Sequence, residues 1–167
     1  MLRKHNKPCC LAISGLDPSG GAGLLADIRS FAAFGVHGLG LVSAETAQNS
    51  TRVEAVWPRP LRAFTQQLAC LLEEFRPAAT KVGLAGGVGQ LRLIRTWAQQ
   101  GRLGQLVVDP VLVASRGQSL AGQHMPRHLL ELMPAISVLT PNLPELADLT
   151  GMAVDTPARA DGRTTPA

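Results

Sequence analysis

Ile13-Ser14-Gly15-Leu16-Asp17-Pro18-Ser19-Gly20-Gly21-Ala22-Gly23-Leu24-Leu25-Ala26-Asp27 is the most informative run of the chain. A short apolar segment, Cys10 to Ser14, stops at Gly15, and a loop holding four glycines follows. Leu24, Leu25, Ile28, Phe31 and Ala32 then recur at helical spacing up to Phe34. The order is strand, glycine-rich turn, helix. Glycines there let a ligand approach the main chain, and the first turn of the helix offers unpaired N–H groups that suit an anion.

The same alternation continues downstream. Strands are expected at Gly40 to Ala44, Thr80 to Val82, Leu106 to Val108 and Ile136 to Leu139. Helices are expected at Leu61 to Phe75, Val88 to Gln100 and Arg127 to Met133, with a last helical turn starting near Leu143. Phe64, Leu68, Leu71, Leu72 and Phe75 form one stripe, and Leu91, Ile94, Trp97 and Ala98 another. Pro58 and Pro60 are expected to punctuate a loop. Strands alternating with helices imply parallel pairing with helices on both faces, and continuously apolar strands agree. This is an α/β fold of three layers, with one domain over residues 1–151. The pattern dissolves after Gly151, so 152–167 is expected to be a disordered tail.

The 167 residues are 46% hydrophobic and 17% charged, with a net charge of +4, which suits a globular chain with a real core. The arginines are scattered and no tyrosine interleaves them, which argues against a nucleic-acid surface. No stretch reaches the roughly eighteen apolar residues of a membrane span. The apolar run behind Arg3, Lys4 and Lys7 is too short for a signal peptide. Cys9, Cys10 and Cys70 form no C-x-x-C and read as small buried residues of a reducing compartment. A cytoplasmic protein without membrane or nucleic-acid partners is expected.

Parallel sheets bind ligands beyond the carboxyl ends of their strands. Every expected strand is followed by small, polar or acidic residues: Gly15 to Gly23, Glu45 to Ser50, Gly83 to Gly87, Asp109 to Gly117 and Thr140 to Glu145. Such convergence on one rim is better support for a pocket than any single motif. Gly21-Ala22-Gly23-Leu24-Leu25-Ala26 fits a dinucleotide fingerprint, with Glu45 downstream for a ribose, but Gly15 to Gly20 and Pro18 separate it from its strand. A Walker loop and a Gly-x-Ser-x-Gly elbow are absent. His124 and His128 have the spacing of a metal pair, yet Pro126 stands between them and no third ligand is evident. Asp109, directly after a strand, suits either a metal or phosphate site or a loop hydrogen bond. Asn142 and Glu145, three apart, suit either a capping box or the water shell of a Mg²⁺ ion. Gln48 offers both donor and acceptor to the edge of a heterocycle, or is a surface amide.

Ser14 to Gly23 followed by Ala26-Asp27 closely resembles the N-terminal signature of the hydroxymethylpyrimidine/phosphomethylpyrimidine kinases, thiamine-biosynthesis enzymes of the ribokinase-like superfamily. Thr46-Ala47-Gln48-Asn49, Lys81-Val82-Gly83, Val108-Asp109-Pro110-Val111 and Leu139 to Glu145 resemble the family's later blocks in order and spacing. The likeness covers about residues 9 to 151 and displaces the dinucleotide reading. It implies a ribokinase-like αβα sandwich with a mostly parallel sheet, truncated after about five strands. It also implies transfer of the γ-phosphoryl group of ATP, with Mg²⁺, to an aminopyrimidine alcohol and then to its monophosphate. By that likeness Gln48 bonds the pyrimidine, while Asp27, Gly15 and the backbone near Leu84 and Val111 line its pocket. Asp109 lies near phosphate and Mg²⁺, and Asn142 and Glu145 help place them, Glu145 through water.

This chain departs from the family pattern at Leu84, where methionine is usual, at Glu45, usually apolar, and at Ser115-Arg116, where a positive charge moves by one place. The resemblance also implies further strands, a Gly-Thr-Gly anion hole and the catalytic base beyond residue 167, so no catalytic base is expected here. Alternatives are a pyrimidine-binding module without turnover and a pyridoxal kinase-like activity. Uncovered strand edges would favour self-association, a homodimer included.

Overall fold

Leu11, Ala12 and Ile13 are fully buried at the centre of a six-stranded sheet. The computed structural model describes residues 8–111 and 125–152. Its elements are β1 (Cys9–Leu16), α1 (Gly23–Ala33), β2 (His37–Gln48), β3 (Val53–Pro58), α2 (Leu61–Glu74), β4 (Ala79–Val82), α3 (Val88–Gln99), β5 (Gln105–Val108), α4 (Met125–Leu132), β6 (Val138–Leu139) and α5 (Leu143–Thr150). A 3₁₀ turn, Met133–Ala135, closes α4. The tail 152–167 lies outside the described residues apart from Met152, and so does His124.

The sheet order is β3-β2-β1-β4-β5-β6. All neighbours are parallel except β3, which runs antiparallel to β2. The expected parallel α/β layering is therefore present, with six strands among the described residues where five were expected. The additional strand is β3, in a stretch where Pro58 and Pro60 predict a loop. Asn49 builds its turn: the side-chain oxygen accepts from the N–H groups of Thr51 (2.9 Å) and Arg52 (3.0 Å). Pro58 is tolerated because β3 is an edge strand. With β3 as partner, β2 runs on through Glu45 to Gln48, residues expected in a loop.

Alternation across β2 sorts the helices. Leu39 and Leu41 face a core shared with Phe64, Leu68 and Leu72 of α2, Leu91 and Ile94 of α3, Leu129 of α4 and Leu149 of α5. Each such buried side chain contributes about 1.5–3 kcal/mol. Gly38 and Gly40 face the other way, against α1. A Cβ on Gly38 would lie 3.1 Å from Ile28 and Phe31, and one on Gly40 would lie 3.3 Å from Leu24. The expected α1 stripe is thus narrower than its spacing suggested. Leu24 is buried, but Leu25 and Ala32 are exposed, since α1 alone covers this side among the described helices and packs mainly on β1 and β2.

The strand order reverses at β1. β1 leads through α1 to β2 on one side, whereas α2 carries the chain back to β4 on the other. The carboxyl ends of β1 and β4 therefore flank a crevice where connections diverge, the usual ligand position of an open α/β sheet.

Candidate active site

The loop after β1 is organised by Asp17, which is 3% exposed. Its Oδ1 accepts from the Ser19 N–H and hydroxyl, both at 2.8 Å, and its Oδ2 accepts from the Ala22 N–H at 2.9 Å. Burial works against ionisation, but the bonds from Ser19, Ala22 and Gly21 outweigh it and hold the carboxyl below its ordinary value. The anion at this turn is thus supplied by the loop itself, where the sequence pointed to an incoming ligand. Gly23 follows with φ +59°, and a Cβ there would lie 2.3 Å from the Gly15 carbonyl oxygen, so helix and strand end meet closely only because this residue is glycine. The Arg29 guanidinium of α1 donates to the Gly20 carbonyl and ties the loop to the helix.

Across the crevice, Gly15 and Leu84 touch: a Cβ on Gly15 would lie 2.8 Å from Leu84 Cδ2. The segment Gly83 to Gly87 is anchored from β2. The β1–β2 register slips between Ser14 and Gly15, so Ser43 is an extra residue in β2. Its hydroxyl donates to the Leu84 carbonyl. Its own carbonyl accepts from the Arg59 N–H at 2.9 Å and from Gln90 Nε2 at 2.9 Å. Gln90 is buried and also donates to the Arg59 carbonyl (3.0 Å) and accepts from the Gly86 N–H (3.1 Å). One amide therefore fixes β2, the β3–α2 link and the loop that carries Leu84.

The charged centre joins three elements. Lys81 Nζ of β4 lies 3.1 Å from both carboxylate oxygens of Asp27 on α1, and 3.6 Å from Asp109 Oδ2 just past β5. Register explains the meeting: Lys81 pairs with Ala12 of β1 and Val107 of β5, so its side chain rises on the α1 side of the sheet. Asp27 is 17% exposed at its side chain and Asp109 is 40% exposed.

The other expected site residues spread along the same rim. Gln48 stands at the end of the hairpin strand, where its Oε1 accepts from the Thr46 hydroxyl at 3.3 Å; Thr46 also donates to the Leu16 carbonyl at 2.8 Å. No hydrogen bond joins Gln48 to Asp27 or Asp109 among the described residues. Val111, whose N–H donates to the Asp109 carbonyl at 2.8 Å, lines an apolar recess with Gly83, Val108, Pro110 and Met125. Asn142 and Glu145 form the capping box of α5: Asn142 N–H donates to Glu145 Oε2 and Glu145 N–H to Asn142 Oδ1, both at 2.9 Å. Glu145 is buried. Because β5 pairs with β6, Asp109 and the α5 cap project from neighbouring strands. Among the described residues, no group of three or more His, Cys, Asp or Glu side chains is arranged to hold a metal ion.

Residues 17–164 match the family described as phosphomethylpyrimidine kinase. The chain belongs to that family. It is 36% identical over 146 residues to the hydroxymethylpyrimidine/phosphomethylpyrimidine kinase of Staphylococcus aureus strain MRSA252, spanning 87% of this chain and 53% of that one. The chain thus spans about half the length of that curated relative. A phosphomethylpyrimidine kinase crystal structure from Clostridium difficile 630 superposes with a TM-score of 0.81 at 32% identity, over 90% of this chain and 65% of that one. A pyridoxal kinase from Staphylococcus aureus in complex with pyridoxal gives a TM-score of 0.80 at 27% identity, over 90% and 56%. The fold is the ribokinase-like one that the motifs implied.

In this member of the phosphomethylpyrimidine kinase family, the sequence points to Asp27 and Asp109 as site residues but not to Lys81, the residue that joins them, although Lys81-Val82-Gly83 is one of the blocks that carry the resemblance. A lysine inside an apolar parallel strand was the available signal, since a buried charge needs partners. Asp17 was legible as an acid followed two residues later by serine, the pattern of a side-chain-capped turn. Ser43 and Gln90 left no local signal, because their partners lie far along the chain.

Proposed function

We propose that this chain carries the aminopyrimidine-binding part of a kinase that uses ATP to phosphorylate 4-amino-5-hydroxymethyl-2-methylpyrimidine and its monophosphate, a reaction of thiamine biosynthesis. The observation that carries the reading is the clasp Asp27–Lys81–Asp109, set beside Gly15 and Leu84 at the reversal point of the sheet. The Asp27 side chain, held by Lys81, offers acceptor oxygens to the exocyclic amino group of the ring, and Gln48 serves the ring edge with donor and acceptor. Backbone at Gly15, Leu84 and Val111 lines the slot, which is narrow because Gly15 and Leu84 already touch. Asp109, more exposed than Asp27, faces the phosphates.

Asp109, Asn142 and Glu145 supply oxygen donors of the hard type that suits Mg²⁺ held mainly through water and phosphate. When bound, Mg²⁺ neutralises charge on the transferring phosphoryl group. Capping uses Glu145 Oε2, so this residue would help hold Mg²⁺ only through water. Deprotonation of the hydroxymethyl group is assigned to no residue of this chain. ATP as co-substrate places the reaction in the cytoplasm, and among the described residues no helix is long and apolar enough to cross a membrane.

The test is calorimetric titration of the chain with the aminopyrimidine, followed by incubation with ATP and Mg²⁺ and assay of ADP and phosphorylated product. Binding with product formation supports the kinase reading. Binding without product leaves a pyrimidine-binding module, and no binding refutes both. The likeness to pyridoxal kinase favours pyridoxal as a second ligand, so the same titration with pyridoxal measures the preference.

A further inference from the structure

Two carboxylates reach one ammonium at the centre of the crevice, so the cluster keeps a net charge of about −1. Lys81 hydrogen-bonds both oxygens of Asp27 at 3.1 Å, whereas it meets Asp109 Oδ2 at the longer distance of 3.6 Å. The ammonium is also confined from below. A Cβ on Gly83 would lie 2.6 Å from Ser14 Oγ and 3.0 Å from Lys81 Nζ, so the glycine leaves room for the lysine and nothing larger fits beside it. Ser14 itself is 1% exposed. Among the described residues, the charged groups in contact with Lys81 are Asp27 from α1 and Asp109 from the end of β5.

Oxygen pairs of this kind collect divalent cations when no protein cation stands between them. We propose that Lys81 is a positioning residue that fills this place with a fixed internal cation. It reserves Asp27, turned and held by two contacts, for the amino group of the heterocycle. It leaves Asp109, held more loosely at 3.6 Å, as the carboxylate that answers to phosphate-bound metal. Without the ammonium, a divalent ion bridges Asp27 and Asp109 and takes Asp27 away from the ring. The role of Asp27 toward the heterocycle rests on the proposed function; the exclusion of metal by Lys81 does not.

The experiment compares the full chain with its Lys81→Met, Lys81→Gln and Lys81→Arg variants. Each is first checked for a wild-type circular dichroism spectrum and a cooperative melt. Mn²⁺ and Mg²⁺ alone are titrated by calorimetry, with Mn²⁺ paramagnetic broadening as a second readout. The two neutral variants should bind Mn²⁺ at least about tenfold more tightly than wild type, because removing one charge at this distance changes the interaction by more than that factor at intermediate dielectric. They should also bind the aminopyrimidine about tenfold more weakly. Lys81→Arg keeps the charge and should stay nearer to wild type than either neutral variant in both titrations. Should Lys81→Met fail to fold, Lys81→Gln decides, since its amide still donates to Asp27. Neutral variants that gain no Mn²⁺ affinity, or an arginine variant that gains as much as they do, overturn the proposal. A wild-type chain that binds no aminopyrimidine overturns the proposed function and the role given to Asp27, while the Mn²⁺ arm still judges the exclusion of metal.

Discussion

Replacing Asp17 by asparagine exchanges one carboxylate oxygen for an NH₂ group and leaves the volume almost unchanged. The native carboxylate accepts from Ser19 N–H, Ser19 hydroxyl and Ala22 N–H at 2.8, 2.8 and 2.9 Å. If the amide oxygen faces Ser19, its NH₂ meets the Ala22 N–H donor to donor; if it turns over, it meets the Ser19 N–H instead. One donor is left without its acceptor in a part-buried place either way, and the surviving bonds lose their charge assistance. The expected loss is about 1–3 kcal/mol, from charged hydrogen bonds worth about 1.5–3 kcal/mol in part-buried positions where water can reach the orphaned donor. With a slope near 2 kcal/mol per molar, the urea midpoint should fall by about 1 M.

Acid titration gives Asp17→Asn a second readout. The Asp17 carboxyl is held below its ordinary value of 3.8, so the unfolded chain takes up its proton first as pH falls. Stability from this group is therefore fully present above about pH 4 and is lost as pH drops through the folded value. Asp17→Asn should lack that part of the acid dependence. A variant within about 0.5 kcal/mol of wild type, or one with an unchanged acid limb, would refute the reasoning.

Three further outcomes are expected. Gly86→Ala places a Cβ 2.2 Å from the Ser43 carbonyl oxygen and 2.7 Å from Gln90 Nε2, so the loop must move; a loss of about 1–3 kcal/mol should appear in urea unfolding, and a neutral result would show that the loop is not pinned. Gln90→Leu keeps the bulk but strips partners from the Arg59 carbonyl and the Gly86 N–H, for about 2–3 kcal/mol by the same assay. The chain 1–167 by itself should self-associate, because Phe34 is 86% and Val138 50% exposed on and beside the α1 side of the sheet; a sharp monomeric peak in size-exclusion chromatography with light scattering would contradict this.

Much of the fold could be read locally. Strands buried on both faces appear as unbroken apolar runs, and α2 and α3 announce themselves by stripes whose members Phe64, Leu68, Leu72, Leu91 and Ile94 are buried. The Asn142–Glu145 box was legible too, since both partners lie within one helical turn. The β3 strand was not, because an edge strand bears half-exposed residues and tolerates proline, so its alternation is weak.

Sequence alone determined that the strand ends gather on one rim, because parallel strands separated by helices must bring their carboxyl ends to one side. Only the tertiary structure decided what each side chain on that rim touches. Lys81 meets Asp27 across 54 residues of chain because β4 pairs with β1 in one register, and a slip of a single position would turn the lysine to the opposite face. Helical and strand periodicity is written in neighbours a few places apart, whereas contacts between strands depend on register and packing, which no short stretch of residues contains.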